Sequence, residues 1–101
     1  MLETWTQETF EQALQSCFEI EISGRGSLSL ELVEVSRYPS SPAVATFSAI
    51  FRGPLEQPFG QGMYPVRHAS LGEANLFLVP IARAADGMRY EAVFSRLLKK
   101  T

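Results

Sequence analysis

The sequence contains one cysteine, one histidine and two lysines among its 101 residues, and these scarcities exclude several kinds of site. A lone cysteine forms no internal disulfide bond, and one cysteine with one histidine supplies too few ligands for a typical transition-metal site. No apolar stretch approaches the roughly 20 residues that span a bilayer. The first residues show neither the basic segment nor the apolar core of a secretion signal. We therefore expect a protein of the cytoplasm, or one released without such a signal, with no metal, no cofactor and no membrane partner.

Basic residues are also too few for a typical nucleic-acid-binding protein. The chain has nine Lys and Arg against eleven Asp and Glu, a net charge of −2 and a pI near 5.3, so we expect no nucleic-acid partner. The charge is unevenly spread, since residues 1–50 carry a net −5 and residues 51–101 a net +3. We expect the two halves to form ion pairs within one fold; the alternative is complementary faces on neighbouring subunits.

One amphipathic helix is predicted near the N-terminus, over about residues 4–15. Four residues recur at the i, i+3, i+4, i+7 spacing of one apolar helix face: Phe10, Ala13, Leu14 and Cys17. Two starts fit the sequence. Thr4 has the capping-box spacing with a glutamine three residues later, whereas a cap at Thr6 places Trp5 and Phe10 at the positions of a hydrophobic staple. We expect Cys17 to be a small buried residue rather than a reactive thiol.

Residues from about 17 to 96 show the alternation of apolar and polar side chains that is typical of β-strands. The phase of this alternation changes at Leu32-Val33, which predicts a β-bulge. Asp86-Gly87 predicts a tight hairpin turn. The run Asn75 to Ala82 is apolar at consecutive positions, so we expect it to be covered on both faces.

These elements predict a single domain over residues 1–101 that is mainly β (α+β). About six strands would form a small antiparallel β-barrel or sandwich. The short N-terminal helix is marginal alone, so its apolar face must pack against the strands, where it would cap one opening. Full closure of a barrel would leave no exposed strand edge, which suits so short a chain.

Several short sequence motifs occur in order over much of the chain: FRGP at 51–54, QGMY at 61–64, LFLVP at 76–80 and YEAVF at 90–94. In these motifs and their spacing the chain resembles an uncharacterised family of short bacterial proteins that is classed as a domain of unknown function. The resemblance implies a structural or accessory role in a phage-tail-like or other bacterial assembly. It carries no catalytic residue over to this chain.

Nucleophilic catalysis needs a nucleophile, a base and an orienting group within hydrogen-bond reach. His68 is the only histidine, so an ordinary base near neutral pH would have to be this residue. No G-x-S-x-G pattern surrounds any serine. We expect His68 to be a strand-end residue whose ring forms hydrogen bonds with the backbone. The alternative is a pocket that His68 lines together with Tyr64, Gln61 and Arg52.

Gly53 to Gly62 is the longest segment without strand periodicity. The slightly wider segment from Arg52 to Tyr64 carries Leu55 and Phe59 among prolines and glycines. Long loops in compact domains often carry function, so this segment is a candidate surface for a ligand or partner. The alternative is that Leu55 and Phe59 simply cover one end of the barrel. The candidate binding residues are Arg52, Leu55, Phe59, Gln61, Tyr64 and His68.

With no catalytic, metal-binding or cofactor-binding constellation, the sequence favours a non-catalytic structural or interaction module. Its partner would be another protein or a second copy of this chain, bound through the Arg52–Tyr64 loop and an exposed strand edge. The second hypothesis is a small-molecule-binding barrel or a small enzyme. Its pocket would require His68, Tyr64, Gln61 and Arg52 to converge.

Overall fold

The computed structural model describes residues 5–24, 26–38 and 44–97, which contain one helix and six strands. The helix α1 spans Gln7–Gln12, and the strands β1 to β6 span Cys17–Ile22, Gly26–Tyr38, Val44–Gly53, Gly62–His68, Gly72–Ala84 and Gly87–Leu97. The helix start considered at Thr4 lies outside the described residues.

The six strands form a closed antiparallel barrel in the order β1-β2-β3-β6-β5-β4. This confirms the predicted mainly β fold with one N-terminal helix, and closure distinguishes the barrel from the sandwich. β3 pairs with β6 along the whole of its own length, whereas β1 and β4 are paired at two positions, Glu19↔Arg67 and Ile20↔Val66. The barrel therefore closes through a short β1–β4 seam.

Alternating side chains of the strands point into the barrel and form its core. β1 shows the predicted period, with Phe18, Ile20 and Ile22 buried and the residues between them exposed. The β2–β3 ladder slips by one residue between Leu32 and Glu34, which confirms the predicted bulge. The bulge accounts for the change of phase in the sequence.

The helix is shorter than predicted and begins at the second of the two starts. Thr6 is its N-cap, and its hydroxyl oxygen accepts a hydrogen bond from the Thr9 amide at 3.3 Å. The helix ends at Gln12 because the following chain turns towards β2. Gln15 adopts a positive φ of 68°, and its amide donates to the Leu32 carbonyl at 2.7 Å. This bond replaces the helical bonds that would have continued α1.

The segment around α1 packs against the barrel through aromatic side chains. The predicted staple forms, since the ring centroids of Trp5 and Phe10 lie 5.7 Å apart in an edge-on contact. Phe10 is fully buried and its ring centroid lies 5.2–6.3 Å from those of three strand residues: Phe18, Phe47 and Phe94. Ala13 is buried, whereas Leu14, beyond the end of α1, is exposed. The helical segment is thus part of the core.

Three burial predictions are wrong. Leu14, predicted on the apolar helix face, is exposed because α1 ends at Gln12. The other two concern the outer face of the barrel. Cys17 is exposed because it is the first residue of β1, where the alternation of the strand points it outward. The run in β5 is covered on one face only. Leu76 and Leu78 are buried in the core, while Phe77 and Ile81 are exposed on the outer face. In β5, a run of consecutive apolar residues therefore does not indicate that both faces of the strand are covered.

Candidate functional site

His68 is the last residue of β4 and binds both a serine and the backbone. Its Nε2 lies 2.8 Å from Ser16 Oγ, and its Nδ1 accepts hydrogen bonds from the amides of Ser70 at 3.0 Å and Leu71 at 3.3 Å. The ring also packs against Phe18, with 4.5 Å between ring centroids. His68 is therefore a strand-end residue bonded to the backbone, as the first of the two interpretations predicted.

The hydrogen bonds around His68 determine where its ring carries a proton. Because Nδ1 accepts two amide hydrogens, the neutral ring carries its proton on Nε2. Nε2–H then donates to Ser16 Oγ, and the Ser16 hydroxyl donates to the Ala13 carbonyl at 2.5 Å. In a catalytic Ser–His pair the serine donates to the histidine instead. The pair therefore joins β4 to the end of the helical segment and does not activate the serine.

A cavity of about 310 Å³ lies beside this pair, and it does not gather the residues of the pocket hypothesis. Its lining consists of Thr9, Gln12, Ala13, Ser16, His68, Ser70 and Leu71. Tyr64 lies four residues from His68 along an extended strand, or about 13 Å. Gln61 precedes the same strand at its other end, and Arg52 lines a separate cleft. The structure therefore does not bring His68, Tyr64, Gln61 and Arg52 together.

The loop between β3 and β4 turns its aromatic side chain inward. Phe59 is buried, its ring stacks on Tyr90 with centroids 3.9 Å apart, and its amide donates to Tyr90 Oη at 3.2 Å. Tyr64 meets Phe59 edge-on at 4.9 Å and donates to the carbonyl of the residue after Phe59 at 2.6 Å. Leu55 is half-buried and Gln61 is exposed. This geometry matches the interpretation in which the loop covers one end of the barrel.

Arg52 lies on the outer face of β3 in an open cleft of about 590 Å³. Its guanidinium forms ion pairs with Glu31 on β2 and with Asp86, at 3.5 Å, in the turn between β5 and β6. That turn consists of Ala85 and Asp86, one residue earlier than predicted. Arg89 faces Arg52 in the β3–β6 register and donates to Asp86 at 3.0 and 3.2 Å. The hydrogen bond from Arg89 lowers the pKa of the Asp86 carboxyl below its ordinary value.

Four large apolar side chains lie exposed on three neighbouring strands, and the sequence did not single them out as a set. Their exposed fractions are 63% for Met63 on β4, 48% for Phe77 and 49% for Ile81 on β5, and 54% for Val93 on β6. Met63 directly faces Phe77 in the β4–β5 ladder. We call this set the β4–β6 face. The signal for these residues in the sequence is the apolar run of β5, which predicts burial on both faces of the strand.

The β4–β6 face is bordered at the β1–β4 seam by a groove of about 560 Å³ that has charged walls. Arg67 donates to Glu19 at 3.1 Å and lies 3.5 Å from Glu21. The hydrogen bond with Glu19 raises the pKa of Arg67, and the nearby charges of Glu21 and Glu73 add to this shift. The groove therefore carries more negative than positive side chains.

Comparison with known proteins identifies the family. A family model described as a domain of unknown function (DUF6916) matches residues 5–94. The chain belongs to this family. The match runs from Trp5, before α1, to Phe94 in β6, so the DUF6916 domain takes in the helical segment and nearly all of the barrel. No curated protein and no solved structure matches the chain.

Within residues 5–24, 26–38 and 44–97, no group of three or more His, Cys, Asp or Glu side chains is placed to hold a metal ion. In the same ranges, no helix combines the length and the apolar character that crossing a membrane requires.

Proposed function

We propose that this domain is a non-catalytic interaction module that binds another protein chain through the β4–β6 face. The observation that supports this most strongly is the exposure of Met63, Phe77, Ile81 and Val93 on neighbouring strands. Contiguous apolar patches on a chain typically mark a protein-binding surface. Full burial of such side chains is worth roughly 1.5–3 kcal/mol each, so these half-exposed residues offer roughly 3–6 kcal/mol before the costs of association.

The binding surface proposed here differs from the Arg52–Tyr64 loop that the sequence favoured. Phe59 in that loop is used inside the domain, where it stacks on Tyr90. Met63, immediately before Tyr64, instead points outward next to Phe77. We therefore place the contact on the strands that follow the loop.

We prefer this function to a small-molecule-binding barrel or a small enzyme for two reasons. The candidate pocket residues lie apart, with His68 at one end of β4 and Tyr64 near the other. Ser16 and His68 are also committed to bonds whose donor and acceptor roles oppose activation of the serine.

Photo-crosslinking in cells that produce the protein tests the interaction function. A benzophenone side chain replaces Phe77 in one variant, and in the control it replaces Leu14, which is 40% exposed outside the β4–β6 face. We expect a discrete crosslink to a protein chain from position 77, because a partner covers that residue, and none from position 14. Equal, diffuse labelling from both positions, or none from position 77, would contradict the proposal.

We extend the proposal to the setting implied by the sequence resemblance, namely an accessory role in a phage-tail-like or other bacterial assembly made in the cytoplasm. Its support is the resemblance that the sequence between FRGP and YEAVF carries to that family. Mass spectrometry of the product crosslinked at position 77 should identify a structural protein of such an assembly, or a second copy of this chain. Crosslinking to unrelated metabolic enzymes would argue against this extension.

A further inference from the structure

We infer that the partner bound at the β4–β6 face also presents an extended segment with a lysine or arginine, which pairs with the edge of β4 in the groove at the β1–β4 seam. The inference rests on the function proposed above, because it names the chemistry of that partner. Two observations carry it. The ladder between β1 and β4 stops at a proline, and the groove that lies there has mainly acidic walls.

Pro65 explains why the seam between β1 and β4 is short. Among the described residues the two strands pair at only two positions, the last of them Ile20↔Val66, and the next residue of β4 is Pro65. The β4–β5 ladder, in contrast, continues without a register shift through Pro65↔Asn75. Because a proline has no N–H to donate, its nitrogen must lie on the β1 side of β4. The β1–β4 ladder therefore ends where β4 offers it no donor.

The edge of β4 on the other side of Pro65 can pair with another strand. Residues two positions apart in a strand point their backbone N–H and C=O groups to the same side, so those of Met63 point to the β1 side, as those of Pro65 do. Within the part of the chain that the structure describes, β1 does not pair with Met63. Such an edge is a template for an extended segment of a partner, the mode of binding called β-strand addition.

The groove beside this edge has room for an extended segment. Its volume of about 560 Å³ lies within the range of ligand-binding clefts. It reaches along β4 from Met63 to Arg67, about 13 Å of extended strand, and the exposed Pro65 lies between them. Met63 also belongs to the β4–β6 face. One partner chain can therefore cover that face and occupy the groove.

The charges around the groove determine which segment fits. Arg67 donates to Glu19 at 3.1 Å and lies 3.5 Å from Glu21, so one cation already binds two carboxylates. Glu73 directly faces Arg67 in the β4–β5 ladder, yet it forms no ion pair with any described residue. A lysine or arginine of the segment would offset this excess of negative charge, whereas a carboxylate would be repelled. The backbone of β4 thus selects an extended segment, and the carboxylates select a basic one.

Fluorescence anisotropy of a labelled peptide tests the inference on the purified full chain. The probe is a short peptide of alternating threonine and lysine, which we expect to bind saturably, whereas a peptide of alternating threonine and glutamate should not bind. Glu73→Lys should raise the Kd of the lysine peptide at least about 10-fold, because it places a cation where the peptide's cation binds. The matched control is Glu34→Lys, the same change of charge at an exposed residue of β2 outside the groove. It should leave the Kd within about 2-fold, and circular dichroism verifies that both variants are folded.

Methylation of the peptide backbone tests pairing as a strand. In the extended peptide the lysine N–H groups lie along one edge and the threonine N–H groups along the other. Methylating the set that faces β4 should abolish binding, and methylating the other set should not, because a strand added to an edge uses one of its own edges. With the unmethylated peptide bound, hydrogen exchange of the Met63 amide should slow at least about 10-fold.

Three results would overturn the inference. The first is equal binding of the glutamate and lysine peptides, or a folded Glu73→Lys variant with an unchanged Kd, since the segment would then not be selected as basic. The second is equal effects of the two methylation patterns with unchanged exchange of the Met63 amide, since the segment would then not pair with β4. The third is self-association of the chain that the lysine peptide reverses in sedimentation velocity, since a second copy would then occupy the groove.

The same experiments distinguish this inference from the function on which it rests. If the lysine peptide does not bind while position 77 crosslinks to a protein in cells, this inference is wrong and the interaction function stands. If the peptide binds as expected and position 77 crosslinks to nothing, the groove is a binding site and the assignment of the contact to the β4–β6 face is wrong.

Discussion

The contact between Ser16 and His68 joins two residues that are 52 positions apart in the sequence, with 2.8 Å between Oγ and Nε2. That distance alone would suit nucleophilic catalysis. The bonds around it decide otherwise, because Nδ1 accepts two amide hydrogens and the serine hydroxyl donates to the Ala13 carbonyl. At His68, the direction of hydrogen-bond donation, and not the distance to Ser16, distinguishes a structural Ser–His pair from a catalytic one.

We predict that the neutral His68 ring is protonated on Nε2, as its two amide donors to Nδ1 require. Long-range ¹H–¹⁵N correlation spectra of the imidazole measure this directly. Ser16→Ala should keep the tautomer and lower the free energy of unfolding by about 1 kcal/mol, because the Nε2–H loses its acceptor. Ser70→Ala is the control, because this substitution keeps the backbone amide that donates to His68 and changes only an exposed side chain. A neutral ring protonated on Nδ1 would refute the assignment.

At the scale of the strands, the pairing of β3 with β6 brings two like charges together. Arg52 and Arg89 face each other in the β3–β6 register, an arrangement that repels on its own. Asp86 accepts hydrogen bonds from both guanidinium groups, at 3.5 Å from Arg52 and 3.0 Å from Arg89. The turn therefore supplies the anion that offsets this repulsion.

We predict that Asp86→Asn lowers the Tm by a few degrees at neutral pH. The bond from Arg89 lowers the folded-state pKa of this carboxyl, so its stabilising contribution is present above the ordinary pKa. The contribution is lost as the pH falls through the lowered pKa, and the difference in Tm from the original protein should shrink towards zero there. Thermal melts across the acid range measure this. Glu56→Gln, an exposed loop carboxylate, should show no such difference.

The strands also show which parts of the fold the sequence could predict. The Leu32 bulge and the alternation of β1 follow from local period, so both were predicted correctly. The helix length was wrong because the Gln15 amide bonds to β2, a long-range contact without a local signal. The exposure of Phe77 was missed because an apolar run does not state which of its faces is covered. For the same reason the candidate site could not be located from the sequence.

At the scale of the whole molecule, the opposite net charges of the two halves of the chain are offset largely by ion pairs between them. Among the described residues, three ion pairs join the halves: Arg52–Glu31, Arg67–Glu19 and Arg67–Glu21. Two more lie within the second half, Arg52–Asp86 and Arg89–Asp86. The expectation of pairing within one fold is thus confirmed.

The barrel and the N-terminal helical segment should fold as one unit, because Phe10 is buried among rings from β1, β3 and β6. Phe10→Ala should cost about 3–5 kcal/mol, close to the roughly 5 kcal/mol at the lower end of the range for small domains. We expect the Tm to fall by at least about 12 °C in calorimetry. Leu14→Ala, in the same segment but exposed, should change the Tm little. Equal effects of the two substitutions would mean that the barrel is complete without the helix.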